Sequence, residues 1–167
     1  GNDHPLALHQ DDTGMLWVGT RNGGASNWNP RSWALGHARY GTLDGSMITS
    51  FATVPSGLWI GTMGRGLFYK AADTSPLTSL DDVFDQKIGI ANAMSMLVDN
   101  SGLLWVGTMT AGVYVLDLEQ RTVSNYRANA EDAQPGLRSN GIMSIMQHPD
   151  GRVWVGTFGG GISIIDH

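Results

Sequence analysis

A five-residue phrase recurs four times along the chain. It reads Leu16-Trp17-Val18-Gly19-Thr20, Leu58-Trp59-Ile60-Gly61-Thr62, Leu104-Trp105-Val106-Gly107-Thr108 and Val153-Trp154-Val155-Gly156-Thr157. The tryptophans stand 42, 46 and 49 residues apart. Repetition at this step marks an array of similar structural units, and each unit must bury its apolar face against a neighbour. Within the phrase, Trp and a β-branched residue sit among small residues, with turn signals on both sides. That pattern predicts a short buried strand.

The flanks repeat as well. Upstream lie Asp12-Thr13-Gly14, Pro55-Ser56-Gly57, Asn100-Ser101-Gly102 and Pro149-Asp150-Gly151. Asp, Asn and Ser bond their own backbone nearby, and Gly supplies the positive φ of tight hairpins. Downstream, a glycine follows each phrase's Thr by four residues: Gly24, Gly66, Gly112 and Gly161. A second hairpin turn is expected there, followed by another strand. The glycine inside the phrase weakens a strand and needs a cause. Close approach of a neighbouring repeat is the expected one, with the tryptophans filling the space.

Read in order, the third repeat is the clearest, with four strand-like runs beginning at Ala93, Leu104, Val113 and Arg121. The first repeat has a polar third run, Ala25–Asn29, and a fourth at Ala34–Tyr40. The outer part of the second, Ala71–Leu80, is weakly patterned. The fourth ends at His167 before any fourth run. Four short antiparallel strands per unit of this length predict an all-β chain of β-propeller blades. Helical periods, which leucine-rich or ankyrin arrays require, are not evident. Approximate blades are 5–44, 45–88, 89–137 and 138–167, in a single propeller segment spanning 1–167. The inner strands are expected to line a central channel, with Ser50, Ser95 and Ser144 at equivalent positions. The short last blade leads us to expect part of a larger propeller, and its open edges to favour self-association.

Composition narrows the function. Gly is frequent, 23 of 167 residues, and charged residues make up only 15%. The net charge of −5 and the scattered Lys and Arg argue against a nucleic-acid partner. Cysteine is absent, so there is neither a disulfide framework nor a thiolate metal site. No apolar run has the length of a membrane span.

The phrases with their flanks resemble the two-component regulator propeller repeat. The pattern is Ser144-Ile145, Asp150-Gly151, Val153-Trp154-Val155-Gly156-Thr157 and Gly160-Gly161-Ile162. The third repeat carries it equally from Ser95-Met96 to Gly112-Val113. Gly136-Leu137-Arg138-Ser139-Asn140 looks like the family's lead-in to an inner strand. The short turn at Pro55-Ser56-Gly57 and the polar Ala25-Ser26-Asn27 depart from the pattern. The resemblance implies a periplasmic sensor region of a membrane-anchored receptor whose output is a histidine kinase or a diguanylate cyclase. It also implies carbohydrate fragments as ligands.

Sites follow from what varies on the constant frame. Loops on a rigid scaffold carry binding. The candidates are Arg21 and Asn22, Met63 and Arg65, Met109 and Thr110, Phe158, and, ahead of an inner strand, Arg138 and Asn140. Arg and Asn suit sugar hydroxyls or an acidic group, and Met and Phe suit an apolar face. The repeated tryptophans are expected in the core. Asp12, Asp99 and Asp150 are expected to bond their own turns rather than calcium. The five histidines lack metal-ligand spacing, so neither a metal nor another cofactor is expected, nor any catalytic residue. Two other readings stay open: a propeller lyase or hydrolase acting on polysaccharide, with His37 and Tyr40 as an acid–base pair, and a protein-docking platform.

Overall fold

In the computed structural model of this chain, the described residues are 4–29, 34–36, 41–72, 75–128 and 136–166; of 34–36 the backbone alone is described. The structure is nearly all β. The first sheet is the meander β1 (Pro5–Gln10), β2 (Leu16–Thr20), β3 (Ala25–Asn29) and β4 (Ala34–Gly36). The second is β5 (Met47–Val54), β6 (Gly57–Met63), β7 (Leu67–Ala71) and β8 (Thr78–Ser79), followed by the single-turn helix α1 (Leu80–Phe84). The third is β9 (Ala93–Val98), β10 (Leu104–Thr108), β11 (Val113–Asp117) and β12 (Thr122–Tyr126). The fourth has three strands, β13 (Ile142–Gln147), β14 (Val153–Thr157) and β15 (Gly161–Ile165). Every pairing is between sequence neighbours and antiparallel. The chain divides into two compact units, Gly1–Ala91 and Asn92–His167, each holding two sheets.

The phrase is the second strand of every sheet. Its tryptophan is held from the preceding turn. Asp99 accepts the Ser101 and Leu103 backbone N–H groups on Oδ1, at 2.9 Å each, and the Trp105 indole N–H on Oδ2 at 2.7 Å. Asp11 does the same for Thr13, Met15 and Trp17. The clasping aspartate of the first repeat is thus Asp11, one residue before the expected Asp12. One carboxylate closes the turn and satisfies the one polar atom of a buried indole. Burial pulls the Asp11 carboxyl upward, but hydrogen bonds from Thr13, Trp17 and Met15 outweigh it and hold it below the usual range. In the fourth sheet His148 stands at the clasp position. Its ring stacks on Trp154, 5.4 Å between centroids, and the indole N–H is buried without an acceptor. The Pro55-Ser56 turn, one residue shorter and without an acidic residue, likewise leaves Trp59 without one.

The phrase glycine is where neighbouring sheets approach. A Cβ on Gly107 would lie 2.5 Å from Ile142 Cγ2 and 2.7 Å from Ser95 Oγ. On Gly19 it would lie 2.7 Å from Ile48 Cγ2. An isoleucine from the next inner strand, not the tryptophan, therefore fills the notch. Ser50, Ser95 and Ser144 each pair across the ladder with the phrase glycine. Around these contacts each unit builds one core. Trp17, Ile48, Phe51, Leu58 and Ile60 cluster in the first, and Trp105, Val113, Ile142, Val153 and Val155 in the second.

The phrase threonine closes the second hairpin. Thr20, Thr62, Thr108 and Thr157 donate Oγ–H to the carbonyls of Gly24, Gly66, Gly112 and Gly161 at 2.8–2.9 Å. Opposite each threonine the inner strand carries a bulge, between Pro5 and Ala7, Ile48 and Ser50, Ala93 and Ser95, and Ile142 and Ser144. The weakly patterned outer part of the second repeat holds the two-residue β8 and then a helical turn. Ser79 accepts the Asp82 N–H at 3.2 Å, and this N-cap starts α1, whose Leu80 and Phe84 are buried.

Four outcomes follow for stability, each read by urea unfolding. Gly107→Ala is expected to cost about 1–3 kcal/mol by overpacking, with part recovered by adding Ile142→Ala. Asp99→Ala is expected to cost about 2–3 kcal/mol, because buried donors lose their acceptor, whereas His148→Asp is expected to gain about 1 kcal/mol by supplying one to Trp154. Asp11 has a lowered folded pKa. Its contribution is therefore complete above the unfolded carboxylate pKa and is lost as pH falls through the folded value. Asp11→Asn should remove that part of the acid dependence; an unchanged acid limb in the variant would contradict the assignment.

Candidate functional site

The turn after each phrase and the lead-in before each inner strand meet at the same end of a sheet. The residue after the phrase threonine donates its backbone N–H into the lead-in. Arg21 donates to His4 O at 3.1 Å, Met109 to Asn92 O at 3.3 Å and Phe158 to Gly141 O at 2.7 Å. The turn glycines also lean on lead-in carbonyls: Gly112 N–H donates to Asn140 O at 3.0 Å, and Gly66 N–H to Ala91 O at 2.9 Å. Each unit accordingly brings two turns together around one lead-in.

In the second unit the lead-in is 136–141. A Cβ on Gly141 would lie 3.2 Å from both Met109 O and Phe158 Cβ. Gly141 thus sits between the β10–β11 and β14–β15 turns, where a side chain would fit only if these neighbours gave way by a few tenths of an ångström. The two turns present Met109 (43% exposed) and Phe158 (74% exposed), an apolar surface that solvent does not favour. Thr110 is exposed beside Met109. The Arg138 side chain is exposed, while its backbone N–H reaches Ser163 Oγ at 3.3 Å and its Cβ lies against Gly160. Asn140 has a different task. Its Oδ1 accepts the Ala128 N–H at 2.8 Å and its Nδ2 donates to Ala128 O at 3.4 Å, tying the exit of β12 to the lead-in.

The first unit repeats the arrangement with polar groups. A Cβ on Gly24, in the turn that carries exposed Arg21 and Asn22, would lie 3.6 Å from Leu43 O in the lead-in to β5. From the β6–β7 turn, Arg65 Nη1 donates to Thr42 O in the same lead-in at 2.7 Å. Met63 ends β6 opposite Met47 and is half-buried, so it offers less surface than Met109. His37 and Tyr40 lie outside the described residues.

A cavity of about 340 Å³ lies at the other end of the first unit's strands, where no site was expected. Asp12, Met15, Trp17, Asn27, Thr53 and Lys70 line it. Its signal in the sequence is the shortened turn at Pro55-Ser56-Gly57. The corresponding turn of the second unit reaches further, and there Gln147 Oε1 accepts the Asn100 N–H at 2.8 Å. His9 Nε2 lies 2.5 Å from Thr53 Oγ1 beside this region, and burial lowers its pKa. Asp150 takes the Arg152 N–H and guanidinium, contacts that hold its carboxyl well below the usual range. Among the described residues, no group of three or more His, Asp or Glu is placed to hold a metal ion. No described helix is long and apolar enough to cross a membrane.

Sheets of this kind, with bulged inner strands and face-to-face cores, are blades of a β-propeller. Residues 136–159, from the lead-in to the last hairpin turn, match the model of the two component regulator propeller. Among solved structures, the chain is similar to the extracellular domain of BT4673 from B. thetaiotaomicron, assigned as a hybrid two component system. The TM-score is 0.78 at 22% identity, over 99% of this chain and 22% of that one. The extracellular domain of BT3049 from the same organism, assigned likewise, gives a TM-score of 0.74 at 24% identity, over 98% and 20% of the two chains. Virginiamycin B lyase from Staphylococcus aureus gives 0.65 at 12%, over 98% and 55%. The chain spans about a fifth of the length of the two extracellular domains. No curated protein matches it. At these identities the structural likeness speaks for the fold, which hosts both extracellular domains of two component systems and an enzyme.

Because Asn140 bridges two segments, Asn140→Ala is expected to cost about 1 kcal/mol and to speed amide exchange at Ala128. Unchanged exchange at Ala128 would mean that the lead-in is held by other contacts.

Proposed function

We propose that this chain is a non-catalytic, ligand-sensing propeller segment of an extracytoplasmic receptor, periplasmic in location, with an oligosaccharide as ligand. The observation that carries the reading is the convergence of Met109 and Phe158 on Gly141, with Arg138 at the edge. A flat apolar side chain beside an exposed guanidinium suits a sugar ring, whose C–H face packs on apolar surface while its hydroxyls take hydrogen bonds. The two component regulator propeller match at 136–159 contains this lead-in and turn. The similarity to extracellular domains of two component systems supports the sensory role and the location. In such a receptor the ligand biases two arrangements of the sensor by differential affinity.

The test is calorimetric titration of the purified chain with a panel of acidic and neutral oligosaccharides. Phe158→Ala and Arg138→Ala should each weaken the binding oligosaccharide about tenfold, a change of about 1.4 kcal/mol, while Arg21→Ala leaves it unchanged. Binding that ignores both Phe158 and Arg138, or no binding across the panel, would remove this reading. Turnover of any oligosaccharide would replace it with the enzyme reading.

A further inference from the structure

At the end of the strands away from the lead-ins, the two units answer the same packing problem differently. In the second unit, Val115 pairs with Trp105 in the third sheet, and Ile165 pairs with Val153 in the fourth. Val115 is buried in the core and Ile165 packs against that core. Gln147 ties the turns, its Oε1 accepting the Asn100 N–H at 2.8 Å. The two sheets thus meet through apolar side chains beside one polar tie.

In the first unit each of these four positions carries a different residue. Asn27 pairs with Trp17 where Val115 pairs with Trp105. Lys70 pairs with Leu58 where Ile165 pairs with Val153. Thr53 pairs with Leu58 where Gln147 pairs with Val153. Asp12 follows the clasping Asp11 where Asn100 follows Asp99. Thr53 has a shorter side chain than Gln147, and its hydroxyl lies 2.5 Å from His9 Nε2. All four of these residues line the cavity of about 340 Å³. That volume falls within the range of small-molecule pockets, roughly 300–1,000 Å³.

A void left by imperfect packing is apolar and stays dry. This cavity has an apolar lining of Met15, Trp17 and Leu58, but it also carries a carboxylate, an ammonium and an amide. Asp11 is committed to its own turn, accepting from Thr13, Met15 and Trp17. The indole N–H is therefore already bonded, and the Trp17 ring offers apolar surface. Asp12 is exposed on the turn of the first sheet. Lys70 belongs to the second sheet, and its Nζ donates to Ala71 O, in the same cavity wall, at 2.9 Å. Opposite charges thus border one apolar space from two sheets.

We propose that this cavity binds a small zwitterion with an apolar side chain, of the free α-amino acid class. The Asp12 carboxylate takes the ligand's ammonium, Lys70 and Asn27 take its carboxylate, and its side chain packs on Met15, Trp17 and Leu58. A ligand of one charge alone would bring its own charge into the cavity with a like charge on one wall. The site shares no residue with the turns of Met109 and Phe158, and the proposal does not rest on the oligosaccharide reading.

The test is NMR titration of the nitrogen-labelled 167-residue chain with L-leucine and with L-phenylalanine across the millimolar range. Saturable shifts are expected at the Trp17 indole N–H and the Asn27 side-chain amide. Lys70→Leu, which places there the residue that Leu116 supplies in the third sheet, and Asp12→Asn, on the exposed turn, should each keep the dispersed spectrum of the folded chain. Each should weaken binding about tenfold or more. N-acetyl-L-leucine and L-leucinamide, which each lack one charge, should bind more weakly than L-leucine by a similar factor. No shift with either amino acid would overturn the proposal, as would binding that Lys70→Leu and Asp12→Asn both leave unchanged. Equal affinity for L-leucine and L-leucinamide would mean that the amine alone is read and would overturn the zwitterion assignment. Phe158→Ala should leave the titration as it is; loss of the shifts in that variant would move the amino acid to the turns and overturn the proposal.

Discussion

The close approach at the phrase glycine is the contact on which the rest of the structure depends. A strand of Leu, Trp, Val and Thr buries well by itself, and a position without a side chain lets a neighbouring strand approach it more closely. Removing one Cβ opens a notch for an isoleucine, at Gly19 for Ile48 and at Gly107 for Ile142. Phe51, Leu58 and Ile60, or Val153 and Val155, pack with the tryptophan of the sheet before them. The tryptophan supplies area and the glycine supplies proximity. Dispersion contacts fade within an ångström of separation, so the area is of little use without the proximity.

A second constraint is polar. A buried indole needs an acceptor, and the turn before the phrase gives one where it can. Asp11 and Asp99 each answer three N–H groups, which couples hairpin geometry to core geometry through one carboxylate. Where the turn changes, at Pro55-Ser56 and at His148, the indole goes without. The first of these changes also opens the cavity beside Asp12 and Lys70. Departures from the repeat therefore fall where the core is less completely satisfied and where a pocket appears.

Much of the fold was legible because the repeat states it four times. The Gly and Thr offsets mark the hairpins, and Trp with its β-branched neighbours marks the second strand. Helix α1 was not legible from periodicity, since one turn is shorter than the period needs. Only the Ser79 to Asp82 spacing hinted at it. The partner of the phrase glycine was anticipated in kind but not in identity: sequence offers the tryptophan as the largest filler, whereas register places an isoleucine there. Of the candidate site residues, Met109, Phe158 and Arg138 gather around one lead-in. Asn140 looks the same as these in sequence but is consumed by the backbone of Ala128. Gly141, which sets the spacing of the two apolar turns, has no signal except its place just before the inner strand.

The bonds from Arg21, Met109 and Phe158 into the lead-ins fall directly beside the bulges of the inner strands. Each lead-in is thus fastened at its last residue, and the bulge absorbs the change of direction before the ladder begins. Whatever length or composition precedes that fastening, the strand enters in the same register. The architecture behaves as a socket with a fixed thread, so the chain between repeats is free to vary in length and chemistry while the core stays as it is.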